Sequence, residues 1–263
     1  MKRHFVTAIN AVVVFAGLIL LWQLLVWVLR VPAYLLPAPG QVAQTIVVRF
    51  VPLVSSLSIT VEAAAGGLAM SIVAGVAVAL VFAQSPWVRR MLYPYTILLQ
   101  TVPIIAVAPL ILMWIGSGTW AVTVVAFIIC LAPIIANTTQ GLVSVERNLI
   151  DLFLMHKASR AQILFRLRLP HALPSLFVGM RISAGISVIG AITGELFAGS
   201  SRVGQGGLGY SILYASSQLQ TAYLFALVIA ATVLGFSFFF LVMFLEWYFL
   251  HHWHESTRVP GAE

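Results

Sequence analysis

Long apolar segments separated by short polar ones run along this chain. Six of them approach the roughly 20 residues that a helix needs to cross a bilayer, at residues 5–29, 57–82, 93–114, 120–137, 176–197 and 223–245. We therefore predict an all-α membrane protein with six transmembrane helices in a single domain over residues 1–263. Pro94, Pro103 and Pro109 interrupt the third segment. Because proline leaves backbone carbonyls without partners, this segment is expected to lie against other helices and not against lipid.

The composition supports a membrane protein. Hydrophobic residues make up 61% of the chain and charged residues 8%, whereas soluble domains carry about 25% charged residues. Residues 5–29 are longer than the h-region of a cleaved signal peptide, which predicts a retained signal anchor. The single cysteine, Cys130, excludes an intrachain disulfide. The net charge of +7 does not indicate nucleic-acid binding, because no basic run alternates with aromatic residues.

The distribution of positive charge predicts the orientation. With the N-terminus inside, basic residues on the outer side are Arg30, Arg49 and Arg202, and Arg181 lies just within the fifth segment. The cytoplasmic side then holds Lys2, Arg3, Arg89, Arg90, Arg147, Lys157, Arg160, Arg166, Arg168 and Arg258. Because positive residues accumulate in cytoplasmic loops, we predict a multi-pass protein of the plasma (inner) membrane with both termini in the cytoplasm. The amphipathic run 42–50 is expected to lie along the outer interface.

One cytoplasmic loop, residues 143–175, is charged and amphipathic in an otherwise lipid-compatible chain. Ser159 and Gln162 have the spacing of a capping box that begins a short helix, and Pro170 is expected to end it. Ile163, Leu164 and Leu167 recur at helical spacing and predict one apolar face. A basic, structured loop on one side of a membrane protein is typical of a docking surface for a soluble partner, although a merely solvated loop has the same composition.

The loop resembles the permease subunits of binding-protein-dependent ABC importers. Their cytoplasmic loop runs Glu-Ala-Ala, three residues, Gly, nine residues, Ile-x-Leu-Pro. Here Leu167–Pro170 matches its end, which places Lys157 at the glycine and 151–153 at the Glu-Ala-Ala. Residues 35–39, 103–109 and 207–210 extend the resemblance, which is greatest for the subgroup serving nitrate, sulfonate, taurine and pyrimidine-type solutes.

The resemblance implies a type I ABC importer permease fold with a cytoplasmic coupling helix. The residues implied in ATPase coupling are Asp151, Lys157, Ala158, Ser159, Arg160, Ile163, Leu164, Leu167 and Pro170. The apolar face would enter a pocket of the ATPase, with the arginines on its rim. Lys157 is the largest departure from the family pattern. If the glycine position needs a left-handed turn, lysine there costs on the order of 1 kcal/mol.

The resemblance also implies the partners. These are two ATP-binding cassette ATPases that hold ATP and Mg²⁺, a second permease (a copy of this chain or a close relative), and an extracytoplasmic substrate-binding protein. Neither Lys2 nor Lys157 follows a glycine, so this chain has no phosphate-binding Gly-Lys-Ser/Thr loop. We therefore expect a transport subunit that is not an enzyme and carries no cofactor.

Two further motifs favour structural interpretations. The Gly204-x-Gly206-x-x-Gly209 pattern has no βαβ context and is better explained as a tight, flexible re-entry into the last span. The histidines at 251, 252 and 254 follow the last span among Trp247, Tyr248 and Trp253. This composition indicates an interfacial anchor more than a metal site.

A polar stripe in the fifth segment supplies candidates for the translocation pathway. Ser183, Ser187, Ala191 and Glu195 recur every four residues, and ionisable groups within spans normally face the protein interior or a cavity. Glu195 either lines the pathway or, partly solvated, caps a loop. Glu62 is interpreted as structural. Gly190 and Gly194 would admit a neighbouring backbone, and the further pathway candidates are Gln100, Thr101 and Met113.

Three classes of function remain open at this point. An ATP-driven importer is favoured by the docking loop, while a six-span membrane enzyme is opposed by the shortage of acids and nucleophile motifs. A passive channel would have no reason to carry the loop. Residues 194–195, 207–210 and 219–221 look most similar to importers of thiamine-precursor pyrimidines or riboflavin, and importers of nitrate, sulfonate, taurine or bicarbonate are the alternative.

Overall fold

The computed structural model describes residues 2–198 and 206–251, and no strand occurs among them. The all-α prediction is therefore confirmed. Residues 164–168 form a π-helical turn. The α-helices are α1 (Lys2–Val28), α2 (Pro39–Val48), α3 (Phe50–Gln84), α4 (Pro86–Thr101), α5 (Ile104–Ile115), α6 (Thr119–Val143), α7 (Arg147–Met155), α8 (Arg160–Ile163), α9 (Leu169–Ala198), α10 (Gly207–Ser217) and α11 (Thr221–Leu250).

Four helical segments are long and apolar enough to cross a bilayer. They are α3, α6, α11 and the continuous run Arg160–Ala198 that contains α8 and α9. A fifth crossing is formed if α4 and α5 act as one broken span. At the first predicted span, Val13–Val28 is a shorter apolar helix. The structure is thus compatible with six spans, and the count of six stays a prediction.

The third predicted segment, 93–114, is not one helix. It is divided between α4 and α5, which meet at an angle of 99°. The break lies at Val102, whose backbone is extended (φ −69°, ψ 121°), immediately before Pro103. A proline disfavours the helical conformation of the residue before it, which explains the position of the break. Pro94 and Pro109 lie within α4 and α5 without ending them.

The bundle is centred on α6, which packs against α3 on one side and α9 on the other. Small residues bring these backbones close together. A Cβ atom on Gly67 of α3 would lie 2.6 Å from the Cβ of Ala126, and one on Gly190 of α9 would lie 2.9 Å from the Cα of the same alanine. The predicted close approach at Gly190 is therefore confirmed, and α6 is the neighbour that it admits.

The predicted coupling loop joins α9 without the break expected at Pro170. Residues 164–168 form a π-turn, and the N–H of Leu169 donates to the carbonyl oxygen of Leu164. Pro170 then occupies the first turn of α9, where a missing N–H is tolerated. The prediction that Pro170 ends the helix was wrong, because the wider π-turn accommodates the change in hydrogen bonding before the proline.

Candidate functional site

In the loop that is predicted to be cytoplasmic, two short helices, α7 and α8, are joined by a left-handed turn; this segment is called the α7–α8 hairpin. At the end of α7, the N–H of Lys157 donates to the oxygen of Leu154 (2.9 Å) and the N–H of Ala158 to that of Phe153 (3.0 Å). These two hydrogen bonds define a Schellman motif at the C-terminus of α7. In this motif the residue that follows the C-cap, here Lys157, adopts the left-handed conformation. Lys157 has φ 55°, so the turn expected at the family's glycine position is present although the glycine is not.

The second half of the hairpin begins as the sequence predicts. The N–H of Ser159 donates to Gln162 Oε1 (2.7 Å), and the N–H of Gln162 donates to Ser159 Oγ (3.2 Å). This reciprocal pair is a capping box. It fixes the start of α8 at Arg160, so that turn and cap together set the angle between the two helices of the hairpin.

The apolar stripe that begins in α8 and continues through the π-turn is largely covered by this chain. Ile163 and Leu164 are each only 6% exposed, and Leu167 is half-buried. Leu164 packs into a small core with Ala79 and Ala83 of α3, Leu142 of α6 and Ala172 of α9. The expectation that these residues form an exposed docking face is therefore corrected. Helical spacing identifies an apolar face but does not tell which molecule covers it.

The exposed apolar face of the hairpin lies on α7. Leu149, Leu152 and Met155 recur every three residues, and Met155 is 81% exposed. Asp151, from the Glu-Ala-Ala position, is exposed beside them. Leu149 and Met155 were not among the residues predicted to contact the ATPase, although their helical spacing is visible in the sequence. The π-turn that follows α8 is fixed to the bundle, because the Nη1 atom of Arg168 donates to the carbonyl oxygen of Ala83 (2.8 Å) at the end of α3, whereas α7 itself has no buried residue.

Replacing Lys157 by glycine should stabilise the hairpin. Lysine at φ 55° carries a steric cost that glycine avoids, on the order of 1 kcal/mol. We expect Lys157→Gly to raise the midpoint of thermal unfolding in detergent. Lys157→Ala is the control, since it removes the charge but keeps the Cβ atom. An equal rise for both variants would assign the gain to charge and not to the backbone.

Glu195 is a buried cap and not a partly solvated one. It is 1% exposed, and its Oε2 accepts hydrogen bonds from Thr60 Oγ1 (3.0 Å) and from the N–H of Gly209 (2.7 Å). The N–H of Leu208 donates in turn to Thr60 Oγ1 (2.8 Å). Thr60 and Glu195 thereby accept hydrogen bonds from two N–H groups in the first turn of α10, which have no acceptor within the helix. Sequence reasoning missed Thr60, which has no local signal.

The other pathway candidates are distributed over two regions. Ser183 and Ser187 are fully buried, and Ser183 Oγ donates to the carbonyl oxygen of Cys130 in α6 (3.0 Å). Ser183 therefore joins α9 to α6, whereas Ser187 Oγ donates to the carbonyl oxygen of Ala184 within α9 (2.8 Å), and neither serine lines an open route in this conformation. Gln100, Thr101 and Met113 are exposed on α4 and α5. They do not form one cluster with buried Glu195.

The surroundings of Glu62 differ from those of Glu195. Glu62, which was interpreted as structural, is exposed on α3, on the side of the helix opposite Thr60 and the buried residues Ala63 and Ala64. It makes no ion pair with any residue in the described ranges. A carboxylate on the outer face of a spanning helix is expected to meet water or protein and not lipid.

Truncating Glu195 should destabilise the protein more than neutralising it. Glu195→Ala leaves the buried N–H of Gly209 without an acceptor, which costs about 2 kcal/mol, whereas glutamine keeps an acceptor oxygen. We expect a clear loss of thermal stability for Glu195→Ala and near-normal stability for Glu195→Gln. Uptake per assembled complex should also survive in Glu195→Gln. Loss of uptake from an intact complex would return this residue to the pathway.

The two remaining motifs lie partly outside the described residues. Gly204 is among those not described, while Gly207 has φ 72° and begins α10, so a separate helix precedes the last span. Of the histidines, 252 and 254 are not described. His251 stacks on Trp247, with ring centroids 5.2 Å apart. Within the described ranges no group of three potential metal ligands occurs.

Comparison with known proteins decides between the classes of function. Residues 71–249 match the family of binding-protein-dependent transport system inner membrane components. The chain is a permease of this ABC importer family. Its relatives include the formylaminopyrimidine transport permease of Halalkalibacterium halodurans, with 33% identity over 94% of this chain and 96% of that protein. The riboflavin transport system permease of Chloroflexus aurantiacus is 35% identical over 73% of this chain and 71% of its own length.

A third relative is named for a different class of solute. The putative aliphatic sulfonates transport permease of Bacillus subtilis is 30% identical over 84% of this permease and 79% of its own length. The family confirms a multi-pass membrane permease and a transport subunit, in agreement with the sequence analysis. The α7–α8 hairpin contains part of the loop motif on which the resemblance to this family rests.

Proposed function

We propose that this permease translocates a small heterocyclic solute, a thiamine-precursor pyrimidine or a riboflavin-like compound, delivered by an extracytoplasmic binding protein. The proposal is supported by the formylaminopyrimidine permease, which aligns over nearly the whole chain, and by the riboflavin permease. The sulfonate relative supports the alternative class of nitrate, sulfonate, taurine or bicarbonate importers.

The observation that carries the mechanism is the exposed apolar face of α7. Leu149, Leu152 and Met155 are exposed on α7, and the proposed topology turns them toward the cytoplasm. Arg168 and Leu164 fix the π-turn that follows α8 to α3 and α6. A partner that moves this face moves the spanning helices with it, as a rigid lever does. We assign the partner as one of two ATP-binding cassette ATPases, which hold the ATP and Mg²⁺ that this chain has no loop to bind.

The pathway is proposed to lie between two permeases, either two copies of this chain or this chain and a close relative. Gln100, Thr101 and Met113 are exposed on the broken α4–α5 pair, and Glu62 is exposed on α3. Polar groups on the outside of a single permease need a second protein surface or water within the membrane. A pore between two copies supplies both.

The substrate is tested with the partner binding protein. Each candidate solute is added to the purified binding protein, and the ligand that raises its melting temperature is identified. We expect a rise with formylaminopyrimidine or riboflavin and none with nitrate, taurine or an alkanesulfonate. Radiolabelled uptake by cells with and without the permease then links that ligand to this chain. A rise with a sulfonate alone would favour the alternative class.

The proposed orientation places both termini and the hairpin in the cytoplasm. Cys130 is fully buried, so it should give no background with a membrane-impermeant thiol reagent. We expect Ser117→Cys, between α5 and α6, to be labelled from outside intact cells and Arg166→Cys to be labelled only after lysis. The reverse pattern would invert the topology.

A further inference from the structure

A basic cavity of about 740 Å³ opens at the cytoplasmic end of the bundle. It lies between the corner that joins α3 to α4, the end of α6, and the α8 helix with the π-turn that follows it. Three arginines from different elements line it: Arg89 of α4, Arg160 of α8 and Arg168 of the π-turn. None of its lining residues is acidic.

No carboxylate among the described residues forms an ion pair with these arginines. Among the described residues the ion pair that forms is Arg181 with Glu246 (3.2 Å), in α9 and α11, so none of the three is neutralised there. Arg168 gives one donor to the carbonyl oxygen of Ala83, and its Nε atom is buried without a hydrogen-bond partner. Three cations around one cavity repel each other, and an anion between them would remove that repulsion.

The rest of the cavity indicates which kind of anion it accepts. Its wall includes apolar side chains such as Ile150, Ile163 and Leu164, which suits a ligand that is part charged and part apolar. Trp87, next to the lining residue Pro86, is 69% exposed. Exposed tryptophan at a helix end marks the level of lipid headgroups, and basic pockets between helices on the cytoplasmic side bind anionic headgroups.

We propose that this cavity is a binding site for a phosphate-bearing anion, held by the guanidinium groups of Arg89, Arg160 and Arg168. Arginine suits this ligand because its planar donors match two phosphate oxygens at once. The location makes an anionic phospholipid headgroup the expected source, and free inorganic phosphate shares the same recognised group. Filling the site would tie α8 to the α3–α4 corner, and thus the hairpin to the membrane surface. The proposal does not depend on the transported solute.

The test uses the full-length permease in detergent and measures its thermal unfolding. In one arm phosphatidylglycerol is titrated against phosphatidylcholine, and in the other sodium phosphate is titrated against sodium chloride at equal ionic strength. We expect phosphatidylglycerol to raise the melting temperature more than phosphatidylcholine does. Stabilisation in the first arm identifies a lipid headgroup and stabilisation in the second identifies free phosphate, and either result supports the site.

Matched variants show whether the cavity is responsible. Arg89→Gln/Arg160→Gln removes two lining charges, and Arg90→Gln/Arg166→Gln removes two exposed arginines that do not line it. Arg168 is kept, so that its bond to Ala83 is preserved. The lining variant should need on the order of tenfold more ligand for the same stabilisation, with little change in the control. Equal losses in both variants, or no stabilisation of the wild type in either arm, would overturn the proposal.

A last arm addresses a protein occupant. Arg89→Cys is exposed to a thiol reagent with phosphatidylglycerol, with phosphate, or with the partner ATPase present. Protection by either phosphate-bearing ligand supports the site. Protection by the ATPase alone would overturn it and assign the cavity to an acidic side chain of the partner.

Discussion

Replacing Met155 by aspartate is expected to abolish ATP-driven uptake while the permease stays folded in the membrane. Met155 is 81% exposed at the end of α7, so the free chain tolerates a charge there. In a complex with the ATPase the carboxylate would be desolvated without a partner, which costs several kcal/mol. Uptake should fall at least about tenfold, and ATP hydrolysis should no longer respond to the loaded binding protein. Met155→Leu is the matched control and should retain uptake.

Aspartate in place of Leu164 should impair folding of the permease itself and not only its response to the ATPase. Leu164 is 6% exposed within the core formed with Ala79, Ala83, Leu142 and Ala172, so aspartate would be buried in this chain whether or not an ATPase is present. We expect Leu164→Asp to lower the amount of folded permease in the membrane. If it instead remained folded and only lost coupling, the α8 stripe and not α7 would face the ATPase.

Replacing Gly209 by alanine is expected to displace α10 and destabilise the permease by about 3 kcal/mol. A Cβ atom at this position would overlap the carbonyl oxygen of Ile192 and would lie 2.8 Å from the Cβ of Glu195. Both are parts of α9 that cannot rotate away, so the helices must separate and the Glu195 cap is lost. The measurement is thermal unfolding in detergent, with the yield of assembled complex as a second readout.

Gly235 in α11 provides the control for this prediction. A Cβ atom there meets nothing within 4 Å, so Gly235→Ala should be neutral or slightly stabilising, since alanine favours the helix by up to about 1 kcal/mol. Equal stability of the two alanine variants would contradict the close contact between α10 and α9.

Local rules predicted the parts of this fold that depend on neighbouring residues. The capping box at Ser159 could be predicted from spacing, because its hydrogen bonds join residues three positions apart. The left-handed turn at Lys157 was suggested only by the glycine of the family pattern at that position. The prolines of the third segment were noticed, but their spacing could not tell that Pro103 breaks the helix while Pro94 and Pro109 do not. That choice depends on the packing of α4 and α5 against the rest of the bundle.

The site was predictable only in part, for a related reason. The sequence located the loop that we propose to couple to the ATPase, yet Ile163 and Leu164 are buried, and Leu164 packs against α3, α6 and α9. An apolar stripe predicts that other apolar groups pack against it, but it does not identify the molecule to which those groups belong. Glu195 was identified as unusual, whereas its partner Thr60 lies 135 positions away and could not be connected to it without the fold.

Uptake by proteoliposomes tests the central claim, that this permease is moved by an ATPase acting on the exposed face of α7. The vesicles contain the permease with its ATPase, ATP is enclosed on the hairpin side, and loaded binding protein is added on the other. We predict accumulation of solute that requires both ATP and the binding protein and is lost in Met155→Asp. Equilibration without ATP, or full accumulation by Met155→Asp, would contradict it.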